Sequence, residues 1–98
     1  SATDLADALE RGDTEDYESI YEYLIAYKTE QGQTEAQARA AIKSSMTAKY
    51  KKLYLEAWKR NDSKEMKRIL ALLQKTGLYG TGNDTAKTVE KWVRDANK

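Results

Sequence analysis

Residues 76–84 read TGLYGTGND and hold three of the chain's five glycines: Gly77, Gly80 and Gly82. Their reading decides the fold class. A glycine-rich loop that cradles a phosphate joins a strand to a helix, whereas a glycine-rich break between two helices belongs to an all-α chain. Gly77 and Gly82 have the separation of a Walker-type loop, but Asn83 and Asp84 follow where a lysine and a hydroxyl residue are needed. An aspartate there repels the phosphate that a lysine would attract. The preceding MKRILALLQK, residues 66–75, reads as a helix rather than a strand, and the dinucleotide pattern G-x-G-x-x-G is absent. The only anion site left open is a single phosphate at the start of the last helix. The stretch reads better as an interhelical turn. Gly77 closes one helix, Leu78 folds back on it, Tyr79 lies over the core, and Asn83, Asp84 or Thr85 starts the next.

Working outward, the rest of the chain has the same punctuation. Proline is absent from all 98 residues, and with it the strongest helix breaker. A first helix is predicted over about residues 4–11, with Leu5, Ala8 and Leu9 on one side and Gly12 at its end. Asp13 or Thr14 caps a second helix that runs to about Gln31, with Tyr17, Ile20, Tyr21, Leu24 and Tyr27 at helical spacing. After Gly32, Thr34 and Gln37 fit a capping box. The third helix then runs to about Arg60 along Ala38, Ile42, Met46, Tyr50, Leu53 and Ala57. Ser44, Ser45 and Thr47 divert hydrogen bonds locally, so a kink or break is expected near residues 45–48. Asn61 takes a left-handed position, and Asp62 caps a fourth helix with Glu65 completing a box; Met66, Ile69, Leu70 and Leu73 form its apolar face. The last helix covers about residues 85–96, with Val89, Trp92, Val93 and Ala96 as its packing side. The expectation is a compact all-α bundle of four to six helices, a single domain over residues 1–98.

One internal echo stands out. RGDTEDYESI, residues 11–20, parallels RNDSKEMKRI, residues 60–69, at an offset of 49. One helix–turn–helix connection is used twice, through duplication or through convergence on good capping. Two occurrences do not make a solenoid.

Composition excludes much chemistry. There is no cysteine and no histidine, so thiol chemistry, disulfides, thiolate zinc sites and histidine-based triads are unavailable. No enzyme motif is present, and neither a cofactor nor a metal is expected. The cluster Asp13, Glu15, Asp16 and Glu18 lacks the spacing of a calcium loop and reads as a solvated helix start. Arg11-Gly12-Asp13 spells an adhesion tripeptide, but its glycine and aspartate already serve a helix junction. No apolar run is long enough for a membrane span, and the polar N-terminus lacks the pattern of a signal peptide. Ser1 in place of Met reads as trimming or excision from a larger protein.

Charge is unevenly placed. Residues 1–35 hold ten acids and two bases, while residues 36–98 hold six acids and fifteen bases. Either the two parts attract each other or the basic part meets an outside partner. Arg39, Lys43, Lys52, Lys59, Lys64 and Arg68 are the candidates for nonspecific contact with phosphates, although no recognition-helix motif accompanies them. Seven tyrosines stand beside no phenylalanine. Tyr17–Tyr21, Tyr23–Tyr27 and Tyr50–Tyr54 are pairs one helical turn apart. Tyrosine suits the margin of a small core and equally suits a protein-binding surface. Tyr23, Tyr54 and Trp58, beside the main apolar stripes, are the candidate protein-binding residues.

IKSSMTAKYKKLYLEAW, residues 42–58, and EMKRILALLQKTGLYG, residues 65–80, together resemble a helical segment of large, poorly characterised phage and prophage proteins of Gram-positive bacteria. The likeness covers about residues 32–94. It rests on Lys43, Ser44 and Ser45, on Tyr54 to Ala57, and on Thr76 to Gly80. Where that family carries a proline, this chain has Lys52, a lost helix-start signal. The resemblance implies a mobile-element or virion-associated setting without an assigned activity. The resulting expectation is a noncatalytic helical interaction or structural module that partners a protein or the rest of a larger polypeptide. Expression would be cytoplasmic, and nucleic-acid contact is the alternative.

Overall fold

A computed structural model describes all residues, Ser1–Lys98, as five α-helices with no strand: α1 (Ala2–Arg11), α2 (Thr14–Glu30), α3 (Glu35–Lys59), α4 (Ser63–Thr76) and α5 (Asp84–Ala96). The all-α class and the helix count match expectation. Contacts between Cα atoms divide the chain into two compact units, Ser1–Thr47 and Ala48–Lys98.

In the first unit α1 packs on α2. Ser1 and Asp4 form a full capping box at the start of α1, and Gly12 ends it in a left-handed conformation with φ 71°. The Asp13 side chain accepts the Asp16 N–H at 3.0 Å, satisfying one of the donors that every helix start leaves orphaned. Leu5, Ala6, Ala8 and Leu9 of α1 are buried, as are Tyr17 and Leu24 of α2. The predicted box at Thr34 is present in both directions: Thr34 N–H donates to Gln37 Oε1 at 2.9 Å, and Gln37 N–H donates to Thr34 Oγ1 at 3.1 Å.

The second unit opens on the C-terminal half of α3. Asn61 takes the left-handed position with φ 58°, and Asp62 accepts the Glu65 N–H at 3.0 Å. The expected reciprocal bond from Glu65 does not form. The Asp62 N–H donates instead to the Ala57 carbonyl, while the Glu65 carboxylate holds Arg68 in two hydrogen bonds. Helix α4 packs on α5, and Ile69, Leu72, Leu73, Thr85, Val89 and Trp92 of these two helices are buried. Leu72 lies outside the apolar face expected for α4, Thr85 is buried although expected only at the helix start, and Ala96, expected on the packing side, is exposed.

The break expected near residues 45–48 does not occur, and α3 is one helix from Glu35 to Lys59. Ser44 and Ser45 are exposed, so their hydroxyls face water, and no proline interrupts the backbone ladder. The buried positions Ala38, Ile42, Met46, Tyr50 and Ala57 follow helical spacing along its length.

The echo at offset 49 is a structural repeat of one junction. Asp13 has φ −86° and ψ 86°, and Asp62 has φ −90° and ψ 83°. The pair of backbone bonds closing α1, Gly12 N–H to Leu9 and Asp13 N–H to Ala8, recurs as Asn61 N–H to Trp58 and Asp62 N–H to Ala57.

The opening stretch forms the turn between α4 and α5. Gly77 stops α4 at φ 68°. Thr76 Oγ1 accepts the Leu78 N–H at 3.2 Å, and Tyr79 is buried with its ring edge-on to Trp92 at 6.3 Å. Inside the turn the Thr81 N–H donates to Asp84 Oδ2 at 3.1 Å. Gly80 has φ 102°, and a Cβ built there would lie 2.9 Å from Asp84 Cβ and closer still to its carboxylate. The Asp84 carboxylate thus fills the space beside Gly80 while accepting a backbone N–H of the same turn. Asn83 precedes α5 without a side-chain cap bond.

Candidate protein-docking surface

Tyr23 and Tyr27 are the two large exposed apolar side chains, at 66% and 52% exposure. They lie one turn apart on α2, about 6 Å along its axis, and their rings stack with centroids 6.4 Å apart and planes 23° apart. Tyr27 was expected on the core stripe and is on the outer side instead. A tyrosine at the margin of an amphipathic helix can turn its ring to either side, because its hydroxyl tolerates water. Glu22, Ala26 and Glu30 are exposed on the same helix. Neither Tyr23 nor Tyr27 lines the open groove of about 500 Å³ in this unit, which is bounded by Tyr21, Glu22, Ile25, Ala26, Glu35 and Arg39, among others.

The other two candidate docking aromatics are placed differently. Tyr54 is buried at 8% exposure, against the expectation of a surface residue, with its ring edge-on to Trp92 at 6.3 Å. Burial, with the Glu90 carboxylate nearby, pushes its phenol pKa above the ordinary value of 10.0. Trp58 is half-buried. A Tyr one turn beyond another Tyr on α3 looked equivalent to Tyr23–Tyr27, and only the second unit's packing separates them. Tyr54 still reaches the wall of a small groove of about 180 Å³ shared with Ser63, Met66, Lys67 and Leu70.

The basic candidates Arg39, Lys43, Lys52, Lys59, Lys64 and Arg68 are all exposed. Arg39 and Lys43 belong to the first unit and the other four to the second. Both arginines are engaged, Arg39 by Glu35 and Arg68 by Glu65. Near the acidic start of α2, Asp13 is spent on capping and Asp16 on Arg11 at 2.6 Å. No group of three or more acidic side chains is arranged to hold a metal ion. No helix is long and apolar enough to cross a membrane.

Comparison with protein-family models, with curated proteins and with solved structures finds no match to this chain.

Proposed function

We propose that this chain is a noncatalytic helical module that docks onto a protein partner through the Tyr23/Tyr27 face of α2. The observation that carries the reading is the stacked, exposed tyrosine pair on α2. Two stacked aromatic rings present a large contact area at small cost in side-chain entropy, which is why such residues anchor interfaces. The phage-type setting is part of the same proposal and rests on the wording of residues 42–58 and 65–80.

Photo-crosslinking tests the reading. A benzoyl-phenylalanine placed at Tyr23 in the source cell is expected to yield discrete protein adducts, with none from the same group at the exposed Lys98. Adducts with nucleic acid alone, or none at all, would overturn it. A second reading, phosphate contact by the basic side chains, is supported by the exposure of all six. It is the weaker one, because Glu35 and Glu65 already compete for the two arginines.

A further inference from the structure

The repeated junction sets α2 and α4 in matching register, and this exposes a difference between them. Tyr17, Ile20, Tyr21 and Leu24 of α2 correspond to Met66, Ile69, Leu70 and Leu73 of α4, and all eight are buried or half-buried. Tyr23 and Tyr27 correspond to Leu72 and Thr76. In α4 that strip is buried, at 7% and 8% exposure; in α2 it lies open, at 66% and 52%. Residues 77–83 fold against the end of α4, with Leu78 N–H on Thr76 Oγ1. Only residues 31–34 separate α2 from the next helix. The first unit therefore carries an aromatic strip at the position its counterpart covers.

Charge indicates what covers it. The first unit holds ten acids and four bases, a net of −6; the second holds six acids and thirteen bases, a net of +7. The open strip is flanked by Glu22 and Glu30, and the exposed side of α4 carries Lys64, Lys67 and Lys75. Between Tyr54 and α4 lies the groove of about 180 Å³, with Met66 and Leu70 in its wall and Lys67 among its lining. Met66 and Leu70 are four residues apart, as are Tyr23 and Tyr27. Side-chain ridges of equal spacing on two helices interdigitate. Lys67 in the groove lining, with Lys64 exposed one turn or less away on α4, would meet the carboxylates and tyrosine ring faces.

Resting on the docking reading above, we infer that the partner is a second copy of this chain: the Tyr23/Tyr27 strip of one copy seats in the Tyr54/Met66/Leu70 groove of the next. The contact is head-to-tail. The alternative of α2 against α2 would set Glu22 and Glu30 of one copy near those of the other. Each copy in a head-to-tail contact keeps one unused strip or groove, so association continues into chains or a closed ring.

Sedimentation velocity on the full, nuclease-treated chain tests this in about 0.01 M and about 1 M salt, where Debye lengths are about 30 and 3 Å. The mass should rise with concentration at low salt and fall back toward 11.2 kDa at high salt. Two variants change exposed residues only: Tyr23→Ser/Tyr27→Ser removes the strip, and Lys64→Glu/Lys67→Glu reverses the rim. Each alone should weaken association about tenfold or more, as expected for loss of desolvated anchors. Mixed together they should restore one intact contact and stop at a 1:1 complex. A wild-type chain that stays monomeric at low salt overturns the inference, while crosslinks from position 23 to another protein would still uphold docking. Rim-reversed chains that associate as well as wild type, or variants that fail to complement, also overturn it. Circular dichroism of both variants establishes that they are folded.

Discussion

Gly80 and Tyr54 show how much one side chain decides. At Gly80 the backbone is in a region that penalises any Cβ, and Asp84 fills the space beside it. Gly80→Ala is expected to cost about 2 kcal/mol or more in urea unfolding. Gly77→Ala, with open space around it, should cost only the left-handed strain, about 1 kcal/mol. Adding Asp84→Ala to Gly80→Ala should recover part of the loss, and strict additivity would refute the proposed clash. Tyr54 makes a prediction in alkali. Its phenol pKa is raised in the folded chain, first by burial and then by Glu90. The neutral ring's stabilisation is therefore complete below the unfolded pKa of about 10 and is lost as pH climbs through the higher folded value. Melting temperature should fall less steeply above about pH 10 in Tyr54→Phe than in wild type. Equal slopes would show that Tyr54 does not titrate against folding.

Helix boundaries were legible because capping is local chemistry. Asp13, Thr34 and Asp62 each announce a helix start within four residues, and each side chain makes its expected bond. Asp13→Ala should therefore cost about 1 kcal/mol, and Asp62→Ala should destabilise in the same direction. Asn83→Ala should stay within about 0.5 kcal/mol, because Asn83 makes no side-chain cap bond. Thermal denaturation of the three variants separates these outcomes. The face of each helix was less legible. Periodicity placed Tyr27 inside and overlooked Leu72, since residues at the edge of an apolar stripe are assigned by their neighbours in space. In the structure Ile69→Ala should cost about 2–5 kcal/mol. Tyr23→Ala should cost almost nothing in stability, within about 0.5 kcal/mol, which lets its effect on association be read cleanly.

Across the molecule, acid sensitivity is spread over both units. Asp4, Asp62, Glu65 and Asp95 all titrate below their ordinary values. Hydrogen bonds lead in each case: from the N-terminal ammonium to Asp4, the Glu65 N–H to Asp62, Arg68 to Glu65 and Lys91 to Asp95. A depressed carboxylate contributes stability that is present above its unfolded pKa and is lost as pH falls through the folded one. Melting temperature should therefore hold steady above about pH 5 and decline below about pH 4. A flat profile down to about pH 2 would contradict this, since unfolding would then take up no protons at these four groups. The separation of net charge, −6 against +7, acts over longer range, so the inferred self-association is expected to weaken with salt.

TGLYGTGND could be read correctly as a junction without any structure, since a missing lysine, a misplaced aspartate and a preceding helical pattern are facts of neighbouring residues. The same holds for the all-α class, the capped helix starts and the duplicated Asp13 and Asp62 junctions. Packing decided that Asp84 closes the glycine turn from within, that Tyr54 goes inside while Tyr23 and Tyr27 stay out, and that α3 runs unbroken past its serines. The reason is range. Capping and turn chemistry act within four or five residues, whereas the burial of a tyrosine depends on which distant segment comes to lie over it.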